Sequence, residues 1–134
     1  MAERGWVTGL GGVFFKSAAP DRLIAWYQRH LGLKTDPYGA SFLWRDDQDP
    51  NQRGRTVWGV FDQGSDYFAP SDKPFMINFR VDDLDAALTR LRAQGVTVDP
   101  KTEDGPQGRF GWIMDPEGTR IELWQPPPEE AAGS

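Results

Sequence analysis

The chain contains no cysteine. That excludes a disulfide framework, a thiolate nucleophile and a thiolate metal ligand. It has a single histidine, His30. One imidazole in the last turn of a helix cannot serve a Ser-His-Asp triad, and it reads as a helix C-terminal residue favoured by the dipole. No apolar stretch approaches the roughly 20 residues of a membrane-spanning helix. The opening "MAERGWVTGLGG" lacks the basic-then-apolar pattern of a secretory leader, so a cytoplasmic location is expected. Basic residues are outnumbered, 15 Lys and Arg against 20 Asp and Glu, for a net charge of −5. Nucleic acid and anionic membrane both need a basic face, and neither is expected as a partner. A glycine-rich phosphate loop is also missing. The acidic run "RDDQDP", with Asp46, Asp47 and Asp49, lacks the regular spacing of a calcium loop and reads as a solvated turn.

What is present is an ordinary globular composition, 38% hydrophobic and 26% charged. The length suits one domain, or two small modules sharing a core. Six tryptophans stand at 6, 26, 44, 58, 112 and 124. Aromatic side chains fill cores, but they also line small-molecule pockets.

The chain repeats itself. Residues 12–32 read "GVFFKSAAPDRLIAWYQRHLG" and residues 76–95 read "MINFRVDDLDAALTRLRAQG". One constant shift places Phe79 on Phe15, Arg80 on Lys16, Asp85 on Asp21 and Leu88 on Ile24. Each copy is a strand-like run, a helix and a glycine stop. In the second helix Asp82 or Asp83 can cap the free amides, and Leu84, Ala87, Leu88 and Leu91 share a face. In the first, Pro20 suits the first turn, and Leu23, Ile24, Tyr27 and Leu31 form the apolar stripe. Short runs follow, near 41–45 and 56–61 in the first half and near 96–98, 109–114 and 119–125 in the second. The pattern is β-α-β-β-β, twice. Module 1 spans about 6–62 and module 2 about 75–126. A linker rich in Asp, Gly, Ser and Pro occupies about 63–74, and a frayed tail covers 127–134.

Three stretches carry a family resemblance: "AWYQRHLGL" (25–33), "FRVDDLDAALTRLRAQGV" (79–96) and "GRFGWIMDPEGTRIELWQP" (108–126). The chain resembles the glyoxalase/bleomycin resistance protein/dioxygenase superfamily, the vicinal oxygen chelate proteins, over about residues 8–126. The resemblance implies a single glyoxalase-like domain of α+β class, in which two βαβββ modules form one cup-shaped mixed sheet. It also implies a ligand in the cup. The commonest chemistry there uses a divalent ion held by four side chains, from the first and last strand of each module. Carried over, those positions are Gly12, Gly59, Met76 and Glu122. One carboxylate alone binds a divalent ion weakly, so no metal and no cofactor is expected.

Taking these positions as inward-facing, strand alternation gives the cup lining. Besides Val57, it comprises Phe14, Phe61, Met76, Asn78, Arg120 and Trp124, with Trp112 opposite Glu122 and Phe110 opposite Trp124. These eight are the candidate ligand-binding residues, and Glu122 is the candidate catalytic one. The leading function is a metal-free protein that binds or sequesters a hydrophobic or aromatic small molecule. The alternative is a lyase, isomerase or dioxygenase with an altered site, using Glu122 as metal ligand or general base. A third is a dimer with a vestigial cup filled by its own aromatics. A homodimer is expected, because family members commonly pair and exposed sheet edges are usually covered. Glu122 is expected to be held by Trp112 or Asn78.

Overall fold

A computed structural model describes residues 4–128. The first half comprises β1 (Val7–Ser17), α1 (Pro20–Leu31), β2 (Thr35–Asp36), β3 (Gly39–Arg45) and β4 (Arg53–Asp62). The second comprises β5 (Phe75–Val81), α2 (Leu84–Ala93), β6 (Val98–Gly105), β7 (Gly108–Met114) and β8 (Arg120–Gln125). All eight strands join one open mixed sheet, in the order β2-β3-β4-β1-β5-β8-β7-β6. In each half the first strand lies parallel to the last, β1 beside β4 and β5 beside β8. The halves meet where β1 and β5 run antiparallel. This is the α+β cup that the repeat implies. No helix among the described residues is long and apolar enough to cross a membrane. The tail expected at 127–134 lies outside the described residues from 129 onward.

The helices start and stop for local reasons. Pro20 stands in the first turn of α1, and Gly32 ends it in the left-handed region at φ 71°, its amide donating to the Gln28 carbonyl. That φ is cheap only for glycine. In α2 it is Asp83 that caps, accepting from the Ala86 amide at 3.0 Å. Asp82 instead accepts from the Gly5 amide. Leu84, Ala87 and Leu88 are buried against Val81 and Leu123. Leu31 departs from its expected place in the α1 stripe and is 62% exposed. The helix meets the sheet through Ile24 and Tyr27, whose ring lies 4.6 Å from that of Trp58, and its last turn extends beyond that contact.

Two other readings need correction. Strand β6 runs over 98–105 rather than 96–98, and six of its eight residues are exposed. It is an edge strand with no buried face, so it has no hydrophobic alternation to read. The segment 63–74 is more than a linker. Phe68 leaves it and is fully buried on the cup face of the sheet, with Met76 and Trp112. Three tethers hold the segment there. Arg120 Nη1 donates to the Tyr67 and Ala69 carbonyls at 3.2 and 2.6 Å. Ser71 donates to the Gly118 carbonyl at 2.7 Å, and Lys73 Nζ to the Thr119 hydroxyl at 2.9 Å.

Candidate functional site: a buried acid beside an open cavity

Register brings the polar groups together. Glu122 on β8 pairs with Asn78 on β5 and lies opposite Trp112 on β7. Its carboxyl is buried, the residue being 3% exposed. Oε1 accepts from Asn78 Nδ2 at 2.6 Å, and Oε2 accepts from Trp112 Nε1 at 2.9 Å. The Tyr67 hydroxyl donates to Oε2 as well. Both contacts expected from the sequence are direct, and the third donor comes from the segment read as a linker. Arg120 is not a partner of Glu122. Its guanidinium lies over the Trp112 ring, holds the two carbonyls above and approaches Asp99 at 3.4 Å.

Burial pushes the Glu122 carboxyl above its ordinary range, although the three hydrogen bonds and the charge of Arg120 pull the other way. Burial also raises the Tyr67 hydroxyl strongly, and the adjacent Glu122 adds to that. The tyrosine proton is therefore fixed as the donor.

These residues do not fit a divalent ion. Of the four family positions only Glu122 offers a strong donor, and both its oxygens already serve protein donors. The two glycine positions have no room either. A Cβ on Gly12 would come within 2.8 Å of the Phe14 ring, and one on Gly59 within 2.7 Å of it. Phe14 has closed over the space those ligands would use. Among the described residues no three His, Asp or Glu side chains are grouped to hold a metal.

Phe68 divides the cup. At its end lie Phe61, with ring centroids 5.1 Å apart, Met76 and Trp112. At the other end is an open cavity of about 410 Å³. Phe14, Asn78, Phe110, Glu122 and Trp124 line it, as the alternation implies. Phe61, Met76, Trp112 and Arg120 do not, which corrects four of the expected lining positions. All four face the cup, but the plug reaches them first. Glu122 stands at the partition, touching both ends.

Val57 lines the cavity too, as alternation implies, and the cavity also takes Gly11, Ser41, Arg55, Pro106, Gln107 and Pro127. Arg55 was legible, because it precedes Val57 by two residues on the same strand face. Ser41 pairs with Val57 across β3 and β4. The loop residues Pro106 and Gln107 had no periodic signal. The rings of Phe110 and Trp124 are nearly parallel, at 5°, with centroids 6.0 Å apart. Trp124 Nε1 donates to the Gln107 carbonyl at 2.8 Å, which pins the loop to this wall. His30 lies elsewhere, against Trp26 at the end of α1. Asp46 turns its carboxylate onto the amides of Gln48 and Asp49, as a turn residue does.

Two βαβββ halves in one open sheet, with a carboxylate on the closing strand, define a vicinal oxygen chelate protein. The glyoxalase-like domain family matches residues 12–124, and the chain belongs to that family. Solved structures agree on the fold. Methylmalonyl-CoA epimerase from Mycobacterium tuberculosis is 27% identical, with 99% of this chain and 97% of that one covered and a TM-score of 0.64. A Streptomyces coelicolor methylmalonyl-CoA epimerase, in complex with 2-nitronate-propionyl-CoA, is 18% identical, with 90% and 99% covered and a TM-score of 0.65. The 2,3-dioxygenase LapB from Pseudomonas sp. KL28 is 21% identical, with 93% and 42% covered and a TM-score of 0.58. No curated protein sequence matches the chain significantly.

Proposed function

We propose that this protein binds an apolar or aromatic small molecule in its cup without a metal ion. The observation that carries the proposal is the state of Glu122. Tyr67, Asn78 and Trp112 all donate to the family's one remaining ligand side chain, while an aromatic-walled cavity stays open beside it. Its volume of about 410 Å³ suits a small organic ligand. Mostly apolar walls with a few placed polar groups are what such sites use. Proton transfer by Glu122 has less support, because a base must turn an oxygen to its substrate and these oxygens are turned to the protein.

The test uses tryptophan fluorescence. Trp124 lines the cavity and Trp112 does not. Aromatic and aliphatic compounds that bind should quench emission in the wild type and in Trp112→Phe, and much less in Trp124→Phe. Quenching that survives in Trp124→Phe and disappears in Trp112→Phe would move the site to the other end of the cup. Elemental analysis of protein purified without chelator should give far less than one transition-metal ion per chain; a stoichiometric ion lost in Glu122→Ala would overturn the proposal. A homodimer is part of the same reading. Its support is the exposure of large apolar side chains, among them Leu10 at 40%, Phe42 at 49% and Leu43 at 76%.

A further inference from the structure

We infer that Phe68 fixes how long a ligand the cup can take, by filling the part of the cup that lies beyond Glu122. The inference rests on the proposal that the cavity is a ligand site, and it adds the residue that limits what fits there.

Register gives the first argument. Strand pairing sets the cup-facing residues in rows across the sheet. Gly12 pairs with Val57 and Asn78, Asn78 with Glu122, and Glu122 with Trp112, so these five share a row. Phe14, Gly59 and Met76 form the next row, and Lys16 and Phe61 the one after. The cavity takes Val57, Asn78 and Glu122 from the first row and continues away from the others to Arg55 and Trp124. In the opposite direction the space belongs to Phe68. It is buried with Met76 and Trp112, and its ring lies 5.1 Å from that of Phe61. The rows belong to one continuous sheet, so the cup is a single trough, filled at one end by a side chain from outside the strands.

Packing gives the second argument. The partition is one layer of side chains. Phe14 and Phe110 line the cavity and also pack against the cluster of Phe68, Met76 and Trp112. The Phe14 ring lies against Gly12 and Gly59, which carry no side chain to hold it, and stands edge-on to Phe61 at 5.6 Å. Phe68 is therefore a positioning residue. It does not line the cavity, but it backs the two rings that end it. A smaller residue at 68 leaves an apolar space that its neighbours fill only in part. A ligand that displaces Phe14 can then extend into that space.

Linear primary alcohols from hexanol to dodecanol, titrated calorimetrically into the full chain, test this. Each methylene that enters an apolar site adds about fourfold in affinity, and one left in water adds nothing. In the wild type the gain should stop at the chain length that meets the partition. In Phe68→Ala it should continue to longer chains, so that the longest alcohols bind at least about tenfold tighter than in the wild type while hexanol binds both alike. Phe68→Leu, which keeps a branched apolar side chain, should move the stopping point less and in the same direction, and it decides the matter if Phe68→Ala does not fold. Leu88→Ala opens a hole in the other core, where Leu88 packs with Val81 and Leu123, and should leave the stopping point unchanged. An unchanged stopping point in the Phe68 variants overturns this inference and leaves the binding site intact. An equal shift in Leu88→Ala also overturns it, because the shift then follows from lost stability. Failure of every alcohol to bind overturns it as well. If no compound in the wider fluorescence screen quenches either, the function on which the inference rests falls with it.

Discussion

Glu122 shows how one residue changes meaning with its neighbours. In sequence it is an acid between two apolar residues of a strand, Ile121 and Leu123. In the fold it accepts three hydrogen bonds, from Tyr67, Asn78 and Trp112. Burial outweighs these bonds and raises its pKa above the ordinary 4.5. A raised folded pKa means that the folded state holds the proton more tightly. Its stabilising contribution is then fully present below about pH 4.5 and is lost as pH rises through the raised value. Asp85, held low by Arg109, and Asp115, held low by the Thr119 amide first, act in the opposite sense. Their effect appears only as pH falls below their ordinary 3.8. Urea unfolding between pH 5 and pH 8 should therefore show stability declining with pH, by at most about 1.4 kcal/mol per pH unit. In Glu122→Gln the decline should flatten, with stability at pH 8 equal to wild type within about 1 kcal/mol or higher. The Asn78 amide can turn over to accept from the new amide, since its Oδ1 has no partner in the present arrangement. A Gln variant several kcal/mol weaker at pH 8 would show that the fold requires the charge.

Among the elements, the segment between the halves matters most and was least readable. "DQGSDYFAPSDKP" has no helical or strand period, and composition alone makes it a link. Its Phe68 nevertheless fills one end of the cup, where sheet curvature leaves space that strand side chains do not reach. Phe68→Ala should cost about 3–5 kcal/mol, the range for a large aromatic removed from a packed core. Asp83→Ala, which removes only the α2 cap, should cost about 1 kcal/mol. Chemical denaturation of both variants ranks the two contributions, and equal losses would mean that the plug is loosely packed. The strands followed a simpler rule. Glu122, Trp124, Asn78 and Phe14 were placed on the cup face correctly by alternation because successive side chains of a strand point to opposite faces of the sheet. The reach of β6 beyond Val98 escaped notice because its residues are mostly solvated.

At the scale of the whole molecule, the internal repeat becomes an approximate two-fold relation within one sheet. The β1–β5 pairing at its centre consumes the first-strand edge of each half. The remaining edges are blunt. Strand β2 has two residues, and β6 carries Pro100 and a run of charged side chains. Natural sheets use these devices against edge pairing. The dimer we propose therefore does not form by adding strands, and the exposed apolar side chains are its means. Light scattering at micromolar concentration should give twice the 15.1 kDa chain mass, and the dimer should survive charge changes on β6 such as Glu103→Lys. A 15.1 kDa species alone would show that those side chains are scattered exposures.

The sequence by itself determined the class of fold, because helix stops, caps and the repeated strand–helix unit are local or near-local signals. It also determined which faces of β1, β4, β5 and β8 look into the cup, because the side-chain period of a strand is two. It established that the family's metal positions hold too few donors, because that follows from residue identity. Only the tertiary structure decided what occupies the cup. Tyr67 and Phe68 reach Glu122 and Met76 from a segment without periodicity, and the contact depends on sheet curvature and on three tethers to residues far along the chain. The same packing decided that Trp112 and Arg120 lie outside the cavity while Arg55 and Trp124 line it. Alternation tells which way a side chain points, but what stands in front of it depends on segments distant in sequence.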